Sequence, residues 1–304
     1  MKKPIIIDTD PGIDDALAIA IALFSDKLDV KLISTVAGNV SIEKVTNNAL
    51  KLLALYEKNV PVAMGAKSPL IEPLIDASNV HGSSGMDGYD FPEPKNELLC
   101  KNHAVLELRD TILNSKEKIT LVPIAPLTNI ALLFSMYPEV KENIAEIVLM
   151  GGSLTRGNKG VLSEFNFATD PEAAKMVFDS GLPIVMATLD VGLKALVMPD
   201  DMGKIYEFGK VGKMAHALFK KYRGGSFNTG LKMYDSCAMA YLLKPELFST
   251  QDCFVDIELT GLARGASVVD LKGYLKRPAN AKVCVDIDGN EFRKWFLDSM
   301  SKCI

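Results

Sequence analysis

Four aspartates stand within eight residues near the N-terminus. The run "IIIDTDPGIDDALAIAIAL", Ile5 to Leu23, sets Asp8, Asp10, Asp14 and Asp15 between two apolar stretches. Carboxylates this close raise one another's cost of ionising. Helix capping accounts for one or two of them, with Asp10 as N-cap ahead of Pro11 and acids in the first turn. It does not account for four. A bound cation removes the repulsion, and an all-oxygen donor set selects a hard ion, Ca2+ or Mg2+. Ca2+ better suits a site built from protein ligands, because Mg2+ tends to keep its waters.

Other segments supply matching groups. Asp235 opens the apolar run "DSCAMAYLL", either as another N-cap or as a further oxygen ligand. Asn39 follows "TVAG", and "VPIAPLTN" offers the Ile124 backbone with the Thr128 and Asn129 side chains. "VLMGG" offers Met150, and "RGNKGVLSEFN" offers Asn158, Glu164 and Asn166. Each alone is an ordinary turn or cap residue. Together they describe a pocket of carboxylates and amides, which suits a polyhydroxyl substrate needing both donors and acceptors. Of the three histidines, His103 and His216 read as surface or packing residues, and His81 in "NVHGSSGMDGYD" is the functional candidate. "VDIDGNEF" lacks the further acids of a calcium-binding EF-hand loop and reads as a strand-to-helix turn. GxGxxG, P-loop and GxSxG patterns are absent.

The elements that must position these residues alternate. "PIIID", "VKLISTVAGN", "VPVAM", "ITLVP", "EIVLMGG" and "LPIVMATLD" read as strands. "DDALAIAIALF", "SIEKVTNNALKLLALYEK" with Ser41 as N-cap, "LTNIALLF" and "DPEAAKMVFDSG" with Asp170 as N-cap read as helices. This predicts an α/β fold, a mainly parallel, doubly wound Rossmann-like sheet with helices on both faces. Ligands of such sheets bind beyond the carboxyl ends of the strands. Helices around 211–222 and 232–243, strands "CFVDIEL" and "AKVCVDI" and a final helix "NEFRKWFLDSM" complete the chain. Residues 66–101 form a long loop-rich insertion, of a length usually functional or disordered. No Pro/Ser-rich linker interrupts the chain, so one domain over 1–304 is expected.

Composition bounds the class. Apolar residues make up 48% of the 304, enough for a sizeable core. A net charge of −4 argues against a nucleic-acid partner, which needs a basic face. No apolar run reaches the ~18 residues of a membrane span, and "MKKPIIID" is no secretory leader, so a cytoplasmic protein is expected. Five scattered cysteines without a CxxC pair fit reduced thiols.

"DTDPGIDDA" is similar to the signature of the inosine-uridine nucleoside hydrolases. "TVAGNVSIEK", "NVHGSSGMDGYDF", "APLTNIALL", "IVLMGGS", "EFNFATDPEAA", "LDV" and "SVVDLKG" follow in that family's order and span roughly residues 4–275. Within the family the chain most resembles bacterial ribonucleoside hydrolases of broad purine and pyrimidine specificity. The resemblance implies the nucleoside hydrolase fold, a Ca2+-dependent N-ribohydrolase of nucleoside salvage, a ribonucleoside substrate and a homo-oligomer, dimer or tetramer. It implies that Asp10, Asp15, Asp235 and the Ile124 carbonyl bind calcium, with Asp10 also the general base toward the attacking water. Asp14, Asn39, Glu164 and Asn166 would hold the ribose hydroxyls, aided by Asn158 and Met150, with Phe165 and His81 near the base and Asp8 supporting the loop.

One position departs. Many relatives carry His immediately before the last calcium aspartate, proposed to protonate or orient the leaving base, where this chain has Tyr234. A phenol donates a hydrogen bond but is a poorer acid than imidazole near neutral pH. Tyr234 donates to the base, His81 takes over, or leaving-group activation is weak. The segment "KKYRGGSFNTG" adds Tyr222 and Arg223 as candidates for the base pocket. Two other readings stand beside the hydrolase. One is a nucleoside-binding protein whose catalysis is lost or weakened through Tyr234. The other is an aspartate-nucleophile phosphatase, which wants Asp-Gly-Thr after the second aspartate where this chain has Pro11-Gly12-Ile13.

Overall fold

The structure is a computed structural model describing residues 2–226 and 228–304. Its first strand, β1 (Lys3–Thr9), explains the apolar run that precedes the aspartates. Ile5 and Ile7 point into one apolar cluster and Ile6 into the other, so the strand is buried on both faces, as parallel sheets are. Strands β2 (Leu28–Thr35), β3 (Val62–Met64), β4 (Ile119–Pro123), β5 (Ile144–Met150) and β6 (Ile184–Ala187) follow. Then come three short strands, β7 (Leu196–Val197), β8 (Gly225–Ser226) and β9 (Gly230–Lys232), which make a small antiparallel sheet of their own. The last three are β10 (Phe248–Ile257), β11 (Ser267–Asp270) and β12 (Ala281–Ile287).

Among the described residues the main sheet has nine strands in the order β11-β10-β12-β6-β5-β4-β1-β2-β3. From β12 to β3 every pairing is parallel, and β10 runs antiparallel to both its neighbours. Helices cover both faces. Helix α1 (Ile13–Phe24), helix α2 (Ile42–Tyr56) and the helices Gly209–Phe219, Ser236–Leu243 and Gly289–Ser301 pack into one cluster. Ala104–Leu113, Thr128–Met136 and Pro171–Phe178 pack into the other. The doubly wound, mainly parallel architecture read from the alternation is therefore the observed one.

Three local readings change. Asp10 does not cap a helix: α1 starts at Ile13 with Gly12 as N-cap, because Pro11-Gly12 turns the chain first. Residues 230–232 are strand β9, and the helix expected over 232–243 begins at Ser236. The helix expected over 211–222 runs from Gly209 to Phe219. The cap Asp170, which accepts from Ala173 N, stands as read, and the turn read at "VDIDGNEF" joins β12 to the last helix, where Asp288 accepts from Asn290 N and Glu291 N. The 66–101 insertion holds one four-residue helix, Ser78–His81, and a short 3-10 turn, Asn96–Leu98.

Candidate active site

The chain passes from β1 outward to β2 and β3, then returns to lay β4 on the other side of β1. Beyond the carboxyl ends of β1 and β4 the connections diverge, which opens a crevice. The Ile124 N–H donates to the Asp8 carbonyl at 2.8 Å and holds the two strand ends together there. A cavity of about 450 Å3 occupies this place.

The segments that line it come from successive strand ends. Asp10 and Asp14 arrive from the β1–α1 turn, Asn39 from beyond β2, Ile124 from beyond β4 and Met150 from the end of β5. Asn158, Glu164, Phe165 and Asn166 come from the loop after β5 and the short helix it enters. His81 comes from the insertion, and Tyr222, Arg223, Tyr234 and Asp235 from the chain around the small sheet. Asp15 lies behind this lining, fully buried. Thr128 and Asn129, also noted at a strand end, do not line the cavity and serve beneath it instead.

The acidic floor is tightly wired. Asp15 accepts from Thr9 Oγ1 at 2.6 Å and from Gly12 N at 2.9 Å. Asp10 Oδ2 accepts from Asn39 N at 2.6 Å, and the Asn39 amide donates to the Asp10 carbonyl and to Asp15 Oδ2. Gly38 permits this approach, since a Cβ there would stand 2.1 Å from Asp10 Oδ2. Asp14, Asp15 and Asp235 each offer an oxygen within 4.8 Å of the others'. Burial first, and Asp15 next, push the Asp14 carboxyl up to about 8. Burial and then Asp14 raise Asp235 well above the usual carboxylate range, and burial and then Asp15 do the same to Asp10. Such groups resist carrying negative charge without a counter-charge. A buried, all-oxygen donor set of this kind fits a hard divalent cation.

Asp8 supports this floor from below. Its Oδ1 accepts from Ser34 Oγ at 2.5 Å and Asn129 Nδ2 at 2.8 Å, while Oδ2 has no partner among the described residues. Burial lifts its carboxyl to about 7. Across the cavity, Glu164 caps the helix Phe165–Thr169 by accepting from Asn166 N and Phe167 N, and also accepts from Gly152 N at 3.0 Å. Burial pushes it up to about 7. Asn166 Nδ2 donates to the Met150 carbonyl at 3.0 Å, which ties that helix to β5.

Three rings face the carboxylates. His81 Nδ1 accepts from Ile13 N at 3.1 Å, and burial pulls its pKa down to about 4. The ring is therefore neutral near pH 7, with its proton on Nε2. Tyr222 packs on it, with centroids 5.6 Å apart, and its hydroxyl lies between the Lys232 carbonyl and the Asp14 carboxyl. Tyr234 seats its ring against Gly192, where a Cβ would stand 2.2 Å from Tyr234 Cδ1. Burial, with Asp14 next, keeps its hydroxyl protonated far above neutral pH.

The cavity also holds three cations that motif reading passed over, Arg156, Lys159 and Lys232. The one signal for the first two was their position beside Asn158 in "RGNKG", and for Lys232 its place two residues before Tyr234.

The chain matches known proteins over nearly its whole length. Residues 5–294 match the family described as inosine-uridine preferring nucleoside hydrolase. The chain is 54% identical over 296 residues to the non-specific ribonucleoside hydrolase RihC of Klebsiella pneumoniae subsp. pneumoniae, covering 97% of each chain. It is 54% identical over 295 residues to the protein of the same name from Salmonella enteritidis PT4, covering 97% of this chain and 96% of the other. The solved purine-preferring ribonucleoside hydrolase from Gardnerella vaginalis superposes with a TM-score of 0.92 at 29% identity, covering 99% of each.

Proposed function

The chain belongs to the inosine-uridine preferring nucleoside hydrolases, and on that premise we propose that it splits purine and pyrimidine ribonucleosides, such as inosine and uridine, into base and ribose. One observation carries this reading: Asp10, Asp14, Asp15, Asp235 and Glu164 are all buried about one cavity. Breaking an N-glycosidic bond builds an oxocarbenium-like ribosyl cation, and fixed carboxylates stabilise positive charge at that carbon.

Each residue takes a part. Asp10, Asp15, Asp235 and the Ile124 carbonyl would hold Ca2+, with Asp14 alongside two of them in the buried triple. When bound, the ion supplies Lewis-acid charge that eases deprotonation of water. Asp10 accepts the proton of the attacking water. Asp14, Asn39, Glu164 and Asn166, with Asn158 and Met150, hold the ribose hydroxyls. Phe165, His81 and Tyr222 flank the base, and Tyr234 donates a hydrogen bond to it as it leaves. The same reading assigns the protein to cytoplasmic nucleoside salvage as a homo-oligomer, a dimer or a tetramer, which light scattering measures. No described helix is long and apolar enough to cross a membrane.

The test is reducing-sugar release from inosine and from uridine, with the freed base identified by chromatography. Ribose and base in equal amounts support the hydrolase. Tight nucleoside binding without ribose release replaces it with the binding-protein reading, which Tyr234 in place of His favours. Turnover of phosphate esters alone removes the assignment altogether.

A further inference from the structure

The cations at the cavity differ in how they are engaged. Lys159 Nζ donates to the carbonyls of Ile75 at 3.2 Å and Asp76 at 3.4 Å, and Arg223 Nη1 donates to the Asn79 carbonyl at 3.3 Å. Both are used to hold the wall. Arg156 lines the same cavity and is exposed, and among the described residues its guanidinium makes no hydrogen bond and no ion pair. A guanidinium against the acidic floor would pair with it. Arg156 therefore stands off from the carboxylates.

Its backbone is nevertheless fixed. Asp190 accepts from Leu154 N at 2.6 Å and from Thr155 Oγ1 at 2.6 Å, and Gly157 N donates to the Val161 carbonyl at 2.9 Å. Asp190 belongs to the single-turn helix Leu189–Gly192. The last residue of that turn, Gly192, is also the seat of the Tyr234 ring. One turn of helix thus sets both the Arg156 loop and Tyr234. Arg156 and Tyr234 line the same cavity, the one read as the nucleoside site.

We propose that Arg156 is a specificity-determining residue that reads the N7 and O6 acceptors of a 6-oxopurine with its two-pronged fork. This rests on the reading of the cavity as a ribonucleoside site. A guanidinium has donors only. Hypoxanthine and guanine present two adjacent acceptors, O6 and N7, to which Arg binds in bidentate fashion. Adenine sets an amino donor beside N7, so one prong meets a donor. Uracil offers an isolated carbonyl oxygen. Lys159 and Lys232, as point charges, cannot make the forked contact.

The experiment is kcat/KM of the full chain for inosine, guanosine, adenosine and uridine, unaltered and with Arg156→Met, Arg156→Lys and Asp190→Ala. Arg156→Met is expected to lower the inosine-to-adenosine and inosine-to-uridine ratios by about five- to 150-fold. Arg156→Lys keeps the charge and loses the fork, so it should fall near the methionine variant. Asp190→Ala frees the loop and should move the ratios the same way by a smaller factor. Equal losses on all four nucleosides, or ratios that Arg156→Met leaves unmoved, overturn the assignment of Arg156 alone. An unaltered chain that cleaves none of the four overturns the hydrolase reading with it.

Discussion

The backbone N–H of Ile13, at the start of α1, donates to Nδ1 of His81 from the insertion at 3.1 Å. The contact is close because residue 12 is glycine, where a Cβ would stand 2.6 Å from that same nitrogen. An N–H donor at Nδ1 admits only an unprotonated nitrogen there, and burial works in the same direction.

A pH dependence of stability follows. The folded pKa of His81 is about 4, against 6.5 for a free imidazole, so between those values the unfolded chain binds more protons. Stability from this group is fully present above pH ~6.5 and is lost as pH falls toward 4, by at most about 3 kcal/mol. Thermal unfolding of the unaltered chain and of His81→Gln across pH 4–7 measures it. The gap between them should narrow with acid. Parallel profiles would show that His81 titrates normally in the folded state.

Asn129 predicts a different kind of loss. Its amide donates to Asp8 Oδ1 at 2.8 Å and to the Thr35 carbonyl at 2.9 Å, and its oxygen accepts from Ala66 N at 2.9 Å. It joins the ends of β1 and β2 to the chain just beyond β3. Asn129→Ala leaves the Ala66 N–H without its partner and takes one donor each from Asp8 Oδ1 and the Thr35 carbonyl, which keep Ser34 Oγ and Gly65 N, so it costs about 2 kcal/mol. Asn129→Asp should cost more, because an oxygen then faces Asp8. Urea midpoints check both. A loss below about 0.5 kcal/mol for the alanine variant would mean that water replaces the amide.

The parallel sheet and the site at its strand ends were legible because each apolar run is followed by its own polar residue. Parallel strands aim those residues at one crevice, so Asp10, Asn39, Ile124 and Met150 could be gathered without knowing the strand order. Partners set by long-range pairing were not legible. β12 enters between β6 and β10, and nothing local in "AKVCVDI" marks its neighbours. His81 stood out by its glycine-rich setting, but its neutral form depends on Ile13. Arg156 carried no more than its place beside Asn158, because Asp190, which fixes the preceding Leu154 and Thr155, lies on another element. The capping alternative for Asp10 falls away only in the structure, since a proline after an aspartate carries the same local signal whether a helix or a further turn follows.

Metal removal tests the acidic floor directly. Asp14, Asp15 and Asp235 are buried together, and mutual repulsion opposes their ionisation. A cation that binds only the folded chain stabilises it by about 2.7 kcal/mol at a hundred times its dissociation constant. Dialysis against a chelator should lower the unfolding temperature and abolish ribose release. Added Ca2+ should restore both, and Mg2+ should do so less well. Full activity in protein shown by elemental analysis to be free of metal would remove the ion from the account.

Tyr234 decides how the base leaves. Its hydroxyl stays protonated throughout the neutral range, so it acts as a fixed hydrogen-bond donor and not as a proton source tuned near pH 7. His81, held neutral, does not fill that gap as an imidazolium. Tyr234→Phe removes the donor and keeps the ring against Gly192, so kcat on inosine and uridine should fall about tenfold, the worth of one hydrogen bond. Tyr234→His restores a group whose ordinary pKa lies near neutrality, and it should exceed the phenylalanine variant by about a hundredfold, the lower end of general acid catalysis. Its pH profile should acquire a limb, near the imidazole pKa, that the unaltered chain lacks. A phenylalanine variant as fast as the unaltered enzyme would show that Tyr234 only packs, and that departure of the base relies on the carboxylates' stabilisation of the ribosyl cation.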